Sequence, residues 1–173
     1  LMQRFCIGFH EVCEGRFDLS AASGQCPSTV PVAGDWSQAA VLLCAGAVGQ
    51  PVWVANLLGG EGCTQGDAEI VNVLRTMGAQ IEEKDGLLRA VRPEGGLSAI
   101  HINCDNIPDI APIIALTCAT AEGTSVLDGV ARLRIKECDR LEATCDLLSR
   151  MGVDVHAENG GDTLVVKGGG IIR

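Results

Sequence analysis

The chain has 173 residues, of which 47% are hydrophobic and 20% charged, and its formal net charge is -9. This composition is typical of a well-packed globular protein and excludes a disordered chain. The acidic charge and an aromatic content of only 3% argue against a nucleic-acid partner, which needs cations for phosphates and rings for bases.

The cysteine pattern indicates a reducing compartment. The nine cysteines include no C-x-x-C pair, and Cys44 and Cys118 lie inside apolar runs, where a free thiol packs as a small hydrophobic side chain. We therefore expect a cytoplasmic protein without a disulfide framework, metal site or cofactor. No apolar run has the length of a membrane span and no signal-peptide pattern opens the chain, so we expect no membrane partner.

The chain begins with a segment that reads as the tail of a repeated unit, residues 1–34. Within it, Met2–Cys6 is predicted to end a helix. Gly8–Val12 and Arg16–Leu19 have the composition of two paired strands.

Two complete units are predicted to follow, over residues 35–97 and 98–173, all in one domain. Met77-Gly78 is echoed by Met151-Gly152, and the same offset carries Asp35 onto Asp109. Each unit is predicted to have the order β-α-β-α-β-β. The predicted elements after each Asp are Ser37–Val48, Val52–Leu57, Asp67–Met77, Gln80–Glu83 and Leu87–Val91 in the first unit, and Ile110–Ala121, Thr124–Leu127, Cys138–Met151, Val153–Ala157 and Thr163–Val166 in the second.

The two helices of each unit differ in character. The first is apolar nearly all round, which predicts a helix buried on all sides. The second is amphipathic, with apolar residues at helical spacing and charge opposite them. We therefore expect an inner and an outer helix in each unit, under a small sheet.

Asp109 has two interpretations. Pro108 restricts the chain before it, and Asp109 then stands at or beside a helix start, where a carboxylate commonly caps the first amides. Alternatively, Asp109 faces a ligand hydroxyl as a hydrogen-bond acceptor or general base. Asp35, at the corresponding place in the first unit, is expected to be only a cap.

A second candidate site is the basic stretch that contains Arg132, Arg134, Lys136 and Arg140. On a helix or its entry turn, Lys136 and Arg140 would share one face, which is unfavourable unless something negative lies between them. Glu137 can pair with Arg140, and Asp139 can stabilise the start of its own helix. The stretch is thus either a self-neutralising helix start or an anion site, in which Arg offers a fork and Lys a point charge.

At these residues the chain resembles the EPSP synthase family, the 3-phosphoshikimate 1-carboxyvinyltransferases. The motifs are Asn106-Ile107-Pro108-Asp109, Lys136-Glu137-Cys138-Asp139-Arg140-Leu141, Gly34-Asp35-Trp36-Ser37-Gln38-Ala39-Ala40 and Gln65-Gly66-Asp67. The resemblance covers nearly the whole chain and is loose over the first thirty or so residues. It implies an α+β fold of repeated β-α-β-α-β-β units, with inner apolar helices and outer sheets in an inside-out barrel domain.

The family transfers the enolpyruvyl group of phosphoenolpyruvate to the 5-hydroxyl of shikimate 3-phosphate, on the pathway to aromatic amino acids, and is the target of glyphosate. The resemblance implies that Asp109 binds the shikimate hydroxyls and accepts the 5-hydroxyl proton, and that Lys136 binds shikimate 3-phosphate. It implies that Glu137 protonates the vinyl carbon and that Arg140 binds the phosphoenolpyruvate carboxylate. Arg132 is a candidate substrate contact to which the resemblance assigns no role.

Members of the family are longer than this chain and contain further phosphate-binding and phosphoenolpyruvate-binding residues. We therefore expect a fragment of the carboxy-terminal domain that lacks its amino-terminal partner domain and is inactive alone. One alternative is a repeat module that binds an anionic metabolite or a partner without turnover. Another is a UDP-N-acetylglucosamine carboxyvinyltransferase, a relative that shares the fold but not the Lys-Glu-x-Asp-Arg run.

Overall fold

Two units make up the chain. The structure, a computed structural model, describes residues 2–21, 24, 27–30, 32–57 and 63–169. Residues 1–32 form one unit and residues 33–173 the other. The finer division at residues 34 and 97, which the repeat predicts, stays a prediction.

The first unit contains a hairpin. A 3₁₀ turn at Met2–Phe5 precedes β1 (Phe9–Cys13) and β2 (Arg16–Leu19), which pair antiparallel. The rings of Phe9 and Phe17 meet edge to face with their centroids 6.3 Å apart, an arrangement that aromatic quadrupoles favour. The predicted strand pair is therefore confirmed, with β1 displaced by one position.

The second unit contains the remaining helices and strands. In chain order these are α1 (Trp36–Val48), a 3₁₀ turn (Gly66–Glu69), α2 (Ile70–Thr76), β3 (Gln80–Lys84), β4 (Leu87–Val91), β5 (His101–Asn103), α3 (Ala111–Ala119), β6 (Thr124–Asp128), a 3₁₀ turn (Ala131–Ile135), α4 (Arg140–Arg150), β7 (Asp154–Glu158), a 3₁₀ turn (Asn159–Gly161) and β8 (Thr163–Lys167). From β5 onward this is the predicted β-α-β-α-β-β order.

The sheet of the second half explains why α3 lies where it does. Its strand order is β5-β6-β8-β7, with β5 and β6 parallel and the other pairs antiparallel. Parallel neighbours need a crossover connection, and α3 supplies it between β5 and β6. Gly78 and Gly152, just past the ends of α2 and α4, have φ of 95° and 83°, the left-handed conformation that commonly ends a helix.

The core lies between α1, α3 and the strands. Leu43, Ile114, Leu127 and Leu164 are each 1% exposed or less. Cys118 is fully buried in α3, and burial raises the pKa of its thiol to about 11, so it packs as a small apolar side chain, as predicted.

Two predictions about the first half are wrong. The segment Val52–Leu57 is not a strand: only Val54 pairs, with Leu88, and Asn56 has a φ of 62°, which no strand residue adopts. Nor is α1 buried all round, because Val41 and Leu42 are 46% and 44% exposed. Its buried side faces α3 and β4, and within the described residues the opposite side carries an open apolar stripe.

Candidate functional site

Asp109 lies in an anchored turn just before α3. Ile107 and Ile110, on either side of it, are buried to 3% and 0% exposure, and the turn carries the bond from the Ile110 amide to the Ile107 carbonyl. The two anchors leave the Asp109 side chain 47% exposed. The buried isoleucines therefore fix the position of a carboxylate that itself faces outward.

Lys136 and Arg140 converge on that carboxylate. Lys136 Nζ lies 2.9 Å and Arg140 Nη1 3.1 Å from the same oxygen, Oδ1 of Asp109. Lys136 has extended backbone angles and precedes α4, so only Arg140 of the two stands on the helix, yet both cations reach the same side. The prediction that something negative must lie between them is confirmed, and it is Asp109.

Glu137 completes the arrangement. Its two carboxylate oxygens accept hydrogen bonds from Arg140 Nε at 2.7 Å and from Arg140 Nη2 at 2.9 Å. This is the bidentate fork that suits a guanidinium to a carboxylate. We call Asp109, Lys136, Glu137 and Arg140 the charge cluster.

The charge cluster changes the acidity of its own members. The hydrogen bond from Lys136 lowers the pKa of Asp109, and the charges of Lys136 and Arg140 act in the same direction. The hydrogen bonds from Arg140 lower the pKa of Glu137, and the same contacts raise the pKa of Arg140. Both carboxylates are therefore ionised at neutral pH while they remain paired with these cations.

Asp35 shows what the corresponding position does without such partners nearby. Its Oδ1 accepts hydrogen bonds from the amides of Ser37 at 2.8 Å and Gln38 at 3.3 Å, so it is a helix cap, as predicted. In contrast, among the described residues no side chain caps α3, which begins after Ile110. The interpretation of Asp109 as a plain cap is therefore wrong.

The start of α1 is fixed by a polar network that the sequence did not predict. Gln65 accepts a hydrogen bond from the Trp36 amide and donates one to the Gly34 carbonyl, both at 2.9 Å. Ser37 donates its hydroxyl to Asp67. These residues lie in two of the motifs that carried the resemblance, so in this chain those motifs support the helix start.

The remaining charges of the basic stretch have other partners. Asp139 caps α4 by accepting from the Glu142 amide at 2.9 Å, as predicted, and pairs with Arg134 at the same distance. Arg132 donates to the Asp105 carbonyl at 3.2 Å. The basic stretch thus divides into a charge cluster around Asp109 and a separate pair around Asp139.

A groove opens beside the charge cluster. It has a volume of about 440 Å³, with Asp109 and Arg140 among its polar lining and Val41, Leu116 and Leu147 among its apolar lining. The groove therefore joins the cluster to the exposed apolar stripe of α1.

Two further observations concern other kinds of site. No helix in the described ranges is long and apolar enough to cross a membrane. Among the same residues, no group of three or more His, Cys, Asp or Glu side chains is placed to hold a metal ion.

Comparison with known proteins identifies relatives over most of the chain. The family model described as EPSP synthase (3-phosphoshikimate 1-carboxyvinyltransferase) matches residues 14–172. A 3-phosphoshikimate 1-carboxyvinyltransferase of Pyrococcus furiosus is 40% identical over 155 residues, which is 89% of this chain and 37% of that protein. One of Aeropyrum pernix is 39% identical over 145 residues, which is 84% of this chain and 33% of that protein.

The fold agrees with these matches. A solved structure of EPSP synthase from Acinetobacter baumannii matches with a TM-score of 0.70 and 27% identity, over 98% of this chain and 39% of that one. Mixed helices and strands in this arrangement confirm the predicted α+β class. This chain thus spans about a third of the length of the curated relatives it matches.

Proposed function

This chain belongs to the EPSP synthase family, and we propose that it supplies one wall of the active site of a longer 3-phosphoshikimate 1-carboxyvinyltransferase. The reaction would join the enolpyruvyl group of phosphoenolpyruvate to the 5-hydroxyl of shikimate 3-phosphate and release phosphate. The observation that carries the proposal is the convergence of Lys136 and Arg140 on the Asp109 carboxylate. Two cations and an acceptor at one point suit a substrate with hydroxyl, carboxylate and phosphate groups.

Each member of the charge cluster has a role that suits its chemical type. Asp109 accepts the proton of the 5-hydroxyl as its oxygen attacks the central carbon of phosphoenolpyruvate, and Glu137 gives a proton to the methylene carbon. Lys136 binds the shikimate 3-phosphate, and the Arg140 fork holds the phosphoenolpyruvate carboxylate. The adduct then loses phosphate and a methyl proton, which restores the vinyl group.

The unliganded pairing has a consequence for Glu137 as an acid. While Arg140 holds it in a fork, its pKa is lowered, and an acid that has lost its proton cannot donate one. A substrate carboxylate that takes the Arg140 fork would both release Glu137 and place a negative charge beside it. Both effects raise the pKa of a carboxyl group. Substrate binding would thus favour the protonated form of Glu137, which can act as the acid.

The chain alone is not expected to turn over. A cleft that binds a highly charged substrate needs donors on more than one side, and this chain spans about a third of its relatives. We propose that the missing amino-terminal domain, together with further residues of the longer protein, supplies the other wall.

A hybrid enzyme tests the proposal. The segment of the Pyrococcus furiosus relative that matches this chain would be replaced by the matching residues of this chain, and phosphate release from shikimate 3-phosphate plus phosphoenolpyruvate would be measured. We expect activity in the hybrid and a loss of about a hundredfold or more in kcat for Asp109→Asn, since general base catalysis typically contributes that much. Asp35→Asn is the matched control, because an asparagine caps a helix about as well as an aspartate.

The outcomes are distinct. A folded hybrid without activity, or one in which Asp109→Asn and Asp35→Asn behave alike, would contradict the proposal. A hybrid that does not fold would be replaced by the same exchange in the Aeropyrum pernix relative. A third outcome would favour the anion-binding module: the isolated chain binds phosphoenolpyruvate, but the folded hybrids of both relatives are inactive.

A further inference from the structure

We propose that Arg134 is a positioning residue for the charge cluster: it holds residues 136–139 in the geometry from which Lys136 and Arg140 reach Asp109. Arg134 itself makes none of the hydrogen bonds found within the cluster, so it would act through its neighbours. The kinetic part of this inference rests on the proposed function, whereas the structural part does not.

The first contact ties Arg134 to the start of α4. Arg134 Nη1 lies 2.9 Å from Oδ2 of Asp139, while Oδ1 of Asp139 accepts a hydrogen bond from the Glu142 amide at 2.9 Å. One carboxylate therefore links Arg134 to the first turn of α4. Because Arg140 begins that helix, the link also sets where the Arg140 side chain starts.

The second contact ties Arg134 to the turn between β7 and β8. A Cβ on Gly161 would lie 2.6 Å from both Nε and Nη2 of Arg134, closer than real Cβ atoms approach a neighbour. Gly161 is buried and has a φ of 97°, so the backbone angle favours glycine, and any side chain there would displace the guanidinium packed against it. The absence of a side chain at Gly161 is what allows the close approach.

The third contact fixes the start of Ala131–Ile135, the 3₁₀ turn that contains Arg134. The amide of Val130 donates to the Asp162 carbonyl at 3.1 Å, and the amide of Ala131 donates to Asp162 Oδ1 at 3.2 Å. The segment Ala131–Ile135 is thus attached to the β7–β8 turn at its start by Asp162 and near its end by Arg134.

These contacts hold both ends of a short linker, residues 136–139, between the 3₁₀ turn and α4. Lys136 leaves the 3₁₀ turn in an extended conformation, and α4 begins at Arg140. The linker therefore runs between Arg134 on one side and the Asp139 cap on the other, and the Arg134–Asp139 pair joins its two ends. Loss of that pair would free the linker from both sides and lengthen the distances from Lys136 and Arg140 to Asp109.

The structural test uses the chain itself without substrate. Carbon-13 NMR of the Asp109 carboxyl group would follow its titration in the wild type, Arg134→Ala and Gly161→Ala. We expect the pKa of Asp109 to rise toward the ordinary aspartate value in both variants, since both displace the cations that lower it. Gly161→Ala keeps every charge, so a shift there reports geometry alone.

Matched controls exist for each variant. Gly160 also has a positive φ, of 70°, but an added Cβ meets nothing within 4 Å, so Gly160→Ala carries similar backbone strain without displacing Arg134. Arg150→Ala removes a cation and an ion pair from the far end of α4. Neither control should move the Asp109 titration. Arg134→Lys keeps the charge but not the flat fork, and we expect partial recovery.

The kinetic test uses the hybrid enzyme. Arg134→Ala is expected to raise KM for phosphoenolpyruvate and to lower kcat/KM by about tenfold, with Arg134→Lys in between. A folded Arg134→Ala variant with an unchanged Asp109 titration would overturn the inference, as would a loss of thermal stability with no change in that titration. Since the NMR measurement needs no turnover, an inactive hybrid would contradict the proposed function and leave this test intact.

Discussion

Lys136 Nζ and Asp109 Oδ1 lie 2.9 Å apart although the two residues are 27 positions apart in the chain. Both residues stand on anchored backbone, because Asp109 lies close after the buried Ile107 and Lys136 follows a 3₁₀ turn attached to the β7–β8 turn. The pair is therefore a product of the tertiary fold, and it gives the charge cluster measurable properties even without substrate.

We expect the charge cluster to make the free energy of unfolding depend on pH. Lys136 lowers the pKa of Asp109 in the folded state. The ionised carboxylate therefore stabilises the fold above the unfolded-state pKa of about 3.9, and this stabilisation is lost as the pH falls through the folded-state pKa. Asp109→Asn should therefore flatten the decline of the free energy of unfolding below about pH 4. Urea unfolding at a series of pH values measures this decline. Glu94→Gln, in the exposed turn after β4, is the control for loss of one charge, and equal curves for the two variants would contradict the prediction.

The two repeat-related aspartates should differ in what they do for stability. Asp35→Ala removes a helix cap and is expected to cost about 1 kcal/mol of unfolding free energy. Asp109→Ala removes no cap, and its surface ion pairs contribute less at moderate salt. Urea denaturation of the two single variants at neutral pH and moderate salt compares them directly. A larger loss for Asp109→Ala would mean that the position is structural.

Gly168 is expected to be intolerant of any side chain. A Cβ there would lie 2.1 Å from the carbonyl oxygen of Ala121 and 2.4 Å from that of Cys118, backbone atoms just after α3 and in its last turn. Gly168→Ala should cost about 1–3 kcal/mol or more, because either β8 or α3 must move. Gly95→Ala is the matched control, since nothing lies within 4 Å of its added Cβ. Thermal melts of both variants measure the difference, and similar melting temperatures would show that the strand end can shift freely.

The thiols should react in an order set by burial. Cys138 is exposed, whereas Cys44, Cys104 and Cys118 are buried, and burial raises the pKa of Cys104 to about 12. Since the thiolate is the reactive form, a disulfide reagent at neutral pH should label Cys138 quickly and Cys104 only after unfolding. Mass spectrometry of the labelled peptides gives the order. Rapid labelling of Cys104 in the folded chain would show that the core opens readily.

The sequence predicted those features that depend on neighbours in the chain. Asp139 caps the helix that begins at the next residue, and Glu137 pairs with Arg140 three positions away. The cap follows from helix geometry, and the pair follows from opposite charges close together in the chain. The Asp35 cap was predicted for the same reason.

Features that depend on distant segments were not predicted. The packing of Arg134 against Gly161 joins residues far apart in sequence, and no local pattern marks the approach. Asp109 resembled a cap because Pro108 and the following helix have the local pattern of one, yet its carboxylate is taken by two cations from beyond β6. The open side of α1 was missed because an apolar helix pattern does not reveal which neighbours lie within the same 173 residues.

The two ends of the charge cluster, Asp109 and Arg140, are only 31 positions apart, with Lys136 and Glu137 between them. A single synthetic DNA cassette can therefore encode every member, and one library can vary all of them together on an unchanged scaffold. The same compactness means that homologous recombination between related genes would exchange the cluster as one piece. Natural variation in the charge cluster should thus be inherited largely as a block.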